Sequence, residues 1–109
     1  MTTYYHTNFN PIFKKDIPPD TQELALHDDF NNLIYGIPIN VKFIKFGKLF
    51  NKPITGNKDE KNKCQLHDTI IAIKFGEQYN QLSDDLPKYL RSLTFGWLFN
   101  QPVKNFPNI

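Results

Sequence analysis

A chain that repeats itself can fold in few ways, because each copy has to bury its apolar residues against the copies beside it. Three segments align here without gaps: 37–54 (IPINVKFIKFGKLFNKPI), 66–83 (LHDTIIAIKFGEQYNQLS) and 86–103 (LPKYLRSLTFGWLFNQPV). A fourth, 17–34 (IPPDTQELALHDDFNNLI), is a degraded copy. The Phe-Asn step recurs as Phe30-Asn31, Phe50-Asn51, Tyr79-Asn80 and Phe99-Asn100, at offsets of 20, 29 and 20 residues. An Ile-Pro-like step keeps the same register at Ile17-Pro18, Ile37-Pro38, Leu66-His67, Leu86-Pro87 and Phe106-Pro107. One insertion, 55–63 (TGNKDEKNK), accounts for the long offset. Phe9-Asn10-Pro11-Ile12 reads as the tail of an earlier unit and 105–109 as the opening of a later one. The pattern predicts one domain over 1–109, with stacked units at about 9–35, 36–54, 64–84 and 85–104.

Within a unit the spacing has a physical reading. Val41, Ile44 and Phe46 recur as Ile70, Ile73, Phe75 and as Leu90, Leu93, Phe95. The second and third members of each triple alternate inward with the two-residue period of a strand, and the first packs at the bend that leads into it. Phe50, Tyr79 and Phe99 then point back from the far side of the unit. This is the pattern of leucine-rich repeats, whose period runs from 20 to 29 residues. A unit of 20 residues leaves little room for a helix. The expected fold is a mostly β, leucine-rich-repeat-like solenoid, with a parallel sheet on one face and an extended or 3₁₀ return path.

The runs FGKLFNKPI (46–54) and LPKYLRSLTFGWLFNQPV (86–103) resemble the FNIP repeat, named for its Phe-Asn-x-Pro-Ile core. The resemblance covers roughly residues 9–109. That repeat is abundant in social amoebae and in giant viruses of amoebae. The resemblance implies a leucine-rich-repeat-like solenoid that recognises proteins. In longer members it often stands behind an amino-terminal F-box that recruits ubiquitin-ligase machinery. Residues 1–8 are too short for an F-box, so only the recognition part is expected here, feeding ubiquitination through a separate subunit.

Most repeated positions read as structural. Leu26, Phe46, Phe75 and Phe95 form one expected internal ladder, and Phe30, Phe50, Tyr79 and Phe99 a second. Asn31, Asn51, Asn80 and Asn100 are expected to satisfy backbone groups of adjacent turns. Gly47, Gly76 and Gly96 allow a tight or positive-φ corner after the strand. Pro38, Pro53, Pro87 and Pro102 fix bends. His27 replaces a repeat glycine and His67 a repeat proline, so neither histidine marks a site. Cys64 and His67 form half of a metal motif with no second cysteine. No Ser-centred elbow, HExxH, paired-carboxylate or phosphate-loop motif is present. The reading is therefore not an enzyme, with no cofactor and no metal.

Between the inward residues lie positions free to serve a partner. They are Gln22, Glu23 and Ala25, then Lys42, Phe43 and Lys45, then Ile71, Ala72 and Lys74, then Arg91, Ser92 and Thr94. Stacked in parallel, they place Lys42 and Arg91 in one row around Ile71, put Lys45 beside Lys74, and set Lys48 and Trp97 in a further row. The expected partner-binding residues are Lys42, Phe43, Lys45, Lys74, Arg91 and Trp97, since aromatic and Arg side chains make strong interface anchors. The insertion is expected to bulge from one edge of its unit as a tolerated loop. A net charge of +2 over 109 residues, with an acidic first unit, argues against nucleic acid. No apolar run is long enough to span a membrane, and a single cysteine points to a reducing setting such as the cytoplasm, a host's if the source is viral. The expected partner is a protein. The alternative is a structural or self-assembling repeat protein that associates through its open ends as a homo-oligomer.

Overall fold

Strands here are short because the sequence interrupts them. A proline or its substitute stands before each run of β-branched and aromatic residues, and in the last three units a glycine follows it. The structure, a computed structural model, describes residues 1–57, 60, 62–82 and 85–103. Its main sheet contains β1 (Thr3–His6), β2 (Glu23–Leu26), β3 (Phe43–Lys45), β6 (Ala72–Lys74) and β7 (Ser92–Thr94), in that spatial order. A second, two-stranded sheet pairs β4 (Ile54–Thr55) with β5 (Cys64–Gln65). Among the described residues the helical content is one 3₁₀ turn, Lys14–Asp16. The protein is mostly β.

Every pair in the main sheet is parallel, and the register follows the sequence columns. Leu24 lies opposite Ile44, Ile44 opposite Ile73, and Ile73 opposite Leu93. Leu24, Ile44 and Ile73 are buried and Leu93 is half-buried. At the bend before each strand Val41, Ile70 and Leu90 are fully buried, and Thr21 takes that place in the first aligned segment.

The aromatic columns form two interleaved stacks. Phe30, Phe50, Tyr79 and Phe99 succeed one another at ring-centroid distances of 6.3, 6.1 and 6.0 Å. Phe46, Phe75 and Phe95 run beside them at 5.3 and 5.6 Å. Within each unit the two rings also face each other, at 3.9 Å for Phe46–Phe50 and 3.6 Å for Phe75–Tyr79 and Phe95–Phe99. The asparagine column is a relay of side chain to backbone. Asn31 Oδ1 accepts the Asn51 N–H at 2.8 Å, Asn51 Oδ1 the Asn80 N–H at 2.9 Å, and Asn80 Oδ1 the Asn100 N–H at 2.8 Å.

The glycine corner owes its residue type to close approach, not to a positive φ. A methyl group on Gly47, Gly76 or Gly96 would lie closer than 3.0 Å to the carbonyl oxygen of His27, Gly47 or Gly76 in the preceding unit.

Three findings depart from the expected layout. First, the sheet has one strand more than the four expected units supply, because β1 pairs with β2 from Thr3↔Glu23 to His6↔Leu26. Second, the insertion does not simply bulge. Gln65 N–H donates to Ile34 O at 2.7 Å, while Cys64 N–H donates to Pro53 O at 2.8 Å on the opposite side. β5 is therefore wedged between Ile34 and β4, and chain order is inverted along this return edge. Thr55, expected in the loop, is buried in β4 and donates its hydroxyl to Asp85 Oδ2 at 2.9 Å. Third, Ala25, expected on the outer face, is only 7% exposed. The expected partial unit 105–109, with Phe106-Pro107, lies outside the described residues, as does part of the loop 55–63.

Removing Phe50, whose ring contacts Phe30, Phe46 and Tyr79, should cost about 3–5 kcal/mol as Phe50→Ala in denaturant unfolding. Gly76→Ala should cost about 1–3 kcal/mol, since a backbone carbonyl has to move. A Gly76→Ala variant as stable as the parent would contradict the close stacking.

Candidate functional site

The outer face of the main sheet is set by strand alternation: with Leu24, Ile44, Ile73 and Leu93 turned inward, their neighbours point out. One outward row runs Thr3, Glu23, Phe43, Ala72, Ser92, and the next runs Tyr5, Ala25, Lys45, Lys74, Thr94. Backbone bonds of 2.9 Å from Lys42 to Gln22, Ile71 to Lys42 and Arg91 to Ile71 define a third row, Gln22, Lys42, Ile71, Arg91. The structure thus brings Phe43, Lys45 and Lys74 onto one sheet face and sets Lys42 and Arg91 in the row at the bend before it. Lys42, Lys45, Lys74 and Arg91 are exposed, and Phe43 is half-buried. A shallow groove of about 160 Å³ crosses this face, lined by Glu23, Phe43, Lys45, Ala72, Lys74 and Thr94 among others.

Two charge patterns divide the surface. Lys45 and Lys74 are direct register partners, and their row contains no carboxylate. Like charges facing each other across a strand pair are unfavourable, and an incoming anion relieves that repulsion. The row past the glycine corner differs. Leu49 N–H donates to Asp28 O, Gln78 N–H to Lys48 O and Leu98 N–H to Glu77 O, which aligns Asp28, Lys48, Glu77 and Trp97. Lys48 is therefore flanked by acids on both sides. Reading the sequence by like columns paired Lys48 with Trp97 and passed over Glu77, though the alignment holds it in that column. Trp97 itself is 89% exposed in the turn after Gly96. A parallel sheet is ordinarily covered on both faces. Here the charged outer side chains lie open.

Cys64 and His67 are engaged by different partners. Cys64 is fully buried; its Sγ accepts the Ile34 N–H at 3.3 Å and approaches Asn32 O at 3.6 Å. Burial pushes its thiol up to about 12, against smaller opposing effects from the Ile34 N–H and Lys52. The His67 ring lies 2.7 Å from Pro38 O through Nε2 and accepts the Thr69 N–H at 3.2 Å through Nδ1. It thereby pins two neighbouring units at the position where the repeat otherwise has proline. A cleft of about 520 Å³ beside the insertion is lined by Gly36, Gly56, Asn57, Gln65, His67 and Asp68 among others, and Cys64 is not part of its wall. His27 plays a similar bridging part, with Nε2 3.1 Å from Asn8 O and Nδ1 accepting the Asp29 N–H at 3.1 Å. Among the described residues no group of three or more His, Cys, Asp or Glu is arranged to hold a metal ion, and no helix is long and apolar enough to cross a membrane.

One family model matches part of this chain. Residues 9–48 match the FNIP repeat. The match ends at Lys48; beyond it the strand register continues through Leu93 and the asparagine relay through Asn100. A search of curated proteins and of solved structures finds no match.

The buried thiol supplies a measurable check. With its pKa raised from 9.0 to about 12, Cys64 holds about a thousandfold less thiolate near neutral pH than a free thiol. Labelling by a disulfide reagent at pH 8 should be slowed at least that much in the folded protein and restored in denaturant. Rapid labelling of the native chain would mean that the wedge formed by β5 is not closed.

Proposed function

We infer that this protein is a leucine-rich-repeat-like solenoid of FNIP repeats that acts without catalysis, binding an acidic, extended segment of a partner protein across its outer sheet face. The observation that carries this reading is the uncovered row in which Lys45 and Lys74 face each other with no carboxylate. Lys42 and Arg91 extend the positive surface, and Phe43 and Trp97 supply apolar anchors of the kind that dominate interface energies. A protein segment fits better than nucleic acid, because Glu23, Asp28 and Asp29 would repel a phosphate backbone running along the sheet. The buried, poorly ionised Cys64 and the engaged ring of His67 favour recognition over chemistry. The FNIP resemblance extends the proposal to selecting targets for ubiquitination in the cytoplasm, through a separate ligase subunit.

The test is capture from amoebal lysate on the immobilised chain. Replacing both lysines (K45E with K74E) should lower recovery of the partner at least about tenfold, equivalent to 1.4 kcal/mol, and raised salt should do the same. Trp97→Ala should lower it further. Unchanged recovery with all three positions replaced would remove this face from the function.

A second reading, self-assembly, draws on the last described unit, where Leu93, Phe95 and Phe99 are only half-buried and β7 is the outermost strand of the sheet among the described residues. It predicts a concentration-dependent rise in sedimentation coefficient. A chain that stays monomeric at high concentration rules it out.

A further inference from the structure

The first strand ends on a residue that does not suit its position. His6 is the rung that faces Leu26, in the column that continues as Phe46, Phe75 and Phe95. It is 2% exposed, and neither Nδ1 nor Nε2 has a hydrogen-bond partner. The Phe30 ring meets it edge-on at 5.6 Å, and the Tyr4 ring on β1 stands at 6.2 Å. A neutral imidazole is tolerated there as an aromatic ring. An imidazolium is not, because a buried charge without a partner is far more costly than a buried neutral ring.

We propose that His6 makes the first strand acid-labile, so that its protonation ejects β1 from the sheet and bares the edge of β2. The groups around the ring do not offset the charge. Asp16, on the 3₁₀ turn, favours the imidazolium, and His27, at the corner after β2, opposes it. Glu23 on β2 faces the outer side, where it accepts the Thr3 hydroxyl. Desolvation dominates and holds the imidazole below its ordinary 6.5, with the Asn8 side chain, Asp16 and the Asn10 backbone pulling the other way and outweighed. Since the folded value lies below the unfolded one, the docked strand binds fewer protons than the released one. Docking is therefore complete above about pH 6.5 and weakens as the pH falls below it. Release bares the backbone of Glu23–Leu26 and the Phe30 ring that His6 contacts. This inference is independent of the basic face.

Amide hydrogen exchange tests it. The Gln22 and His27 N–H groups donate to Thr2 O and His6 O, across the β1–β2 seam. The Ile71 and Arg91 N–H groups donate to Lys42 O and Ile71 O, deeper in the stack. Between pH 7 and 5.5, corrected for intrinsic rates, protection at Gln22 and His27 should fall by up to about tenfold per pH unit while Ile71 and Arg91 hold. His6→Phe, a residue that three other units accept in this column, should abolish the fall, and His6→Leu, matching Leu26, should do the same. Three results would overturn the proposal: no fall in the parent, the same fall in both variants, or loss of protection at Ile71 and Arg91 in step with Gln22.

Discussion

The tightest constraint in this protein is the contact between the corner of one unit and the corner of the next. At Gly47, Gly76 and Gly96 a backbone carbonyl occupies the space a side chain would need. That approach lets adjacent units lie flat on each other, and the rest follows from flatness. Rings repeat at 6.0–6.3 Å with planes within 3–9° for Phe30, Phe50, Tyr79 and Phe99. A parallel sheet with 4.7–4.9 Å between strands can form beside them only because the backbones are drawn that close. The asparagine relay works for the same reason: an amide oxygen reaches one unit along and no further.

Much of this was legible in the sequence because each constraint leaves one residue type in a column. Close approach leaves glycine, stacking leaves Phe or Tyr, and the relay leaves Asn. Counting these columns gave the strand register residue by residue, including the jump of 29 across the insertion. Side-chain alternation alone puts Lys45 beside Lys74. What the columns could not show was any element built from other residues. β1 has the sequence TYYH, with no Phe-Asn or Gly to align, and a histidine on an internal rung reads as polar and exposed. β5 was hidden for a related reason. The segment before it, TGNKDEKNK, is charged, and pattern reading assigns such a stretch wholly to solvent. Nothing in the composition shows that the chain re-enters one row earlier than it left.

The outer face illustrates how a fold can set charge without using it. Inward positions are held to apolar residues by burial, whereas outward positions at Phe43, Lys45, Ala72, Lys74, Ser92 and Thr94 have no packing duty in the interior. Their variation from unit to unit is free, and the result is uneven. Lys48 sits between acids, and Lys45 and Lys74 do not. Two ammonium groups face to face carry an electrostatic cost that an outside anion would offset, and the proposed recognition of an acidic segment rests on that cost.

The two ends of the stack differ in kind. Wherever glycine holds the corner, the preceding unit is bound by close backbone contact. At the equivalent place after β2 stands His27, which has a Cβ, so the first junction lacks the close glycine contact of the later ones even though β1 pairs with β2 from Thr3↔Glu23 to His6↔Leu26. The asparagine relay breaks at the same point: upstream of Asn31, the bond is from Asn32 Nδ2 to Phe9 O, at 3.1 Å. Side-chain tethers take over, with Thr2 N–H bonded to Gln22 Oε1 at 3.0 Å, the Thr3 hydroxyl to Glu23 Oε1 at 3.0 Å, and His27 Nε2 against Asn8 O. Exposed bonds of this type contribute modestly and exchange readily with water. The first strand is thus joined to the sheet by its backbone ladder and these tethers around one buried imidazole, where every later junction adds glycine, aromatic ring and amide together. Loss of a single column residue therefore means different things at the two ends. In the later units it removes one of three column contacts that reinforce the ladder, whereas at the first junction the backbone pairing and the side-chain tethers carry what those columns do not.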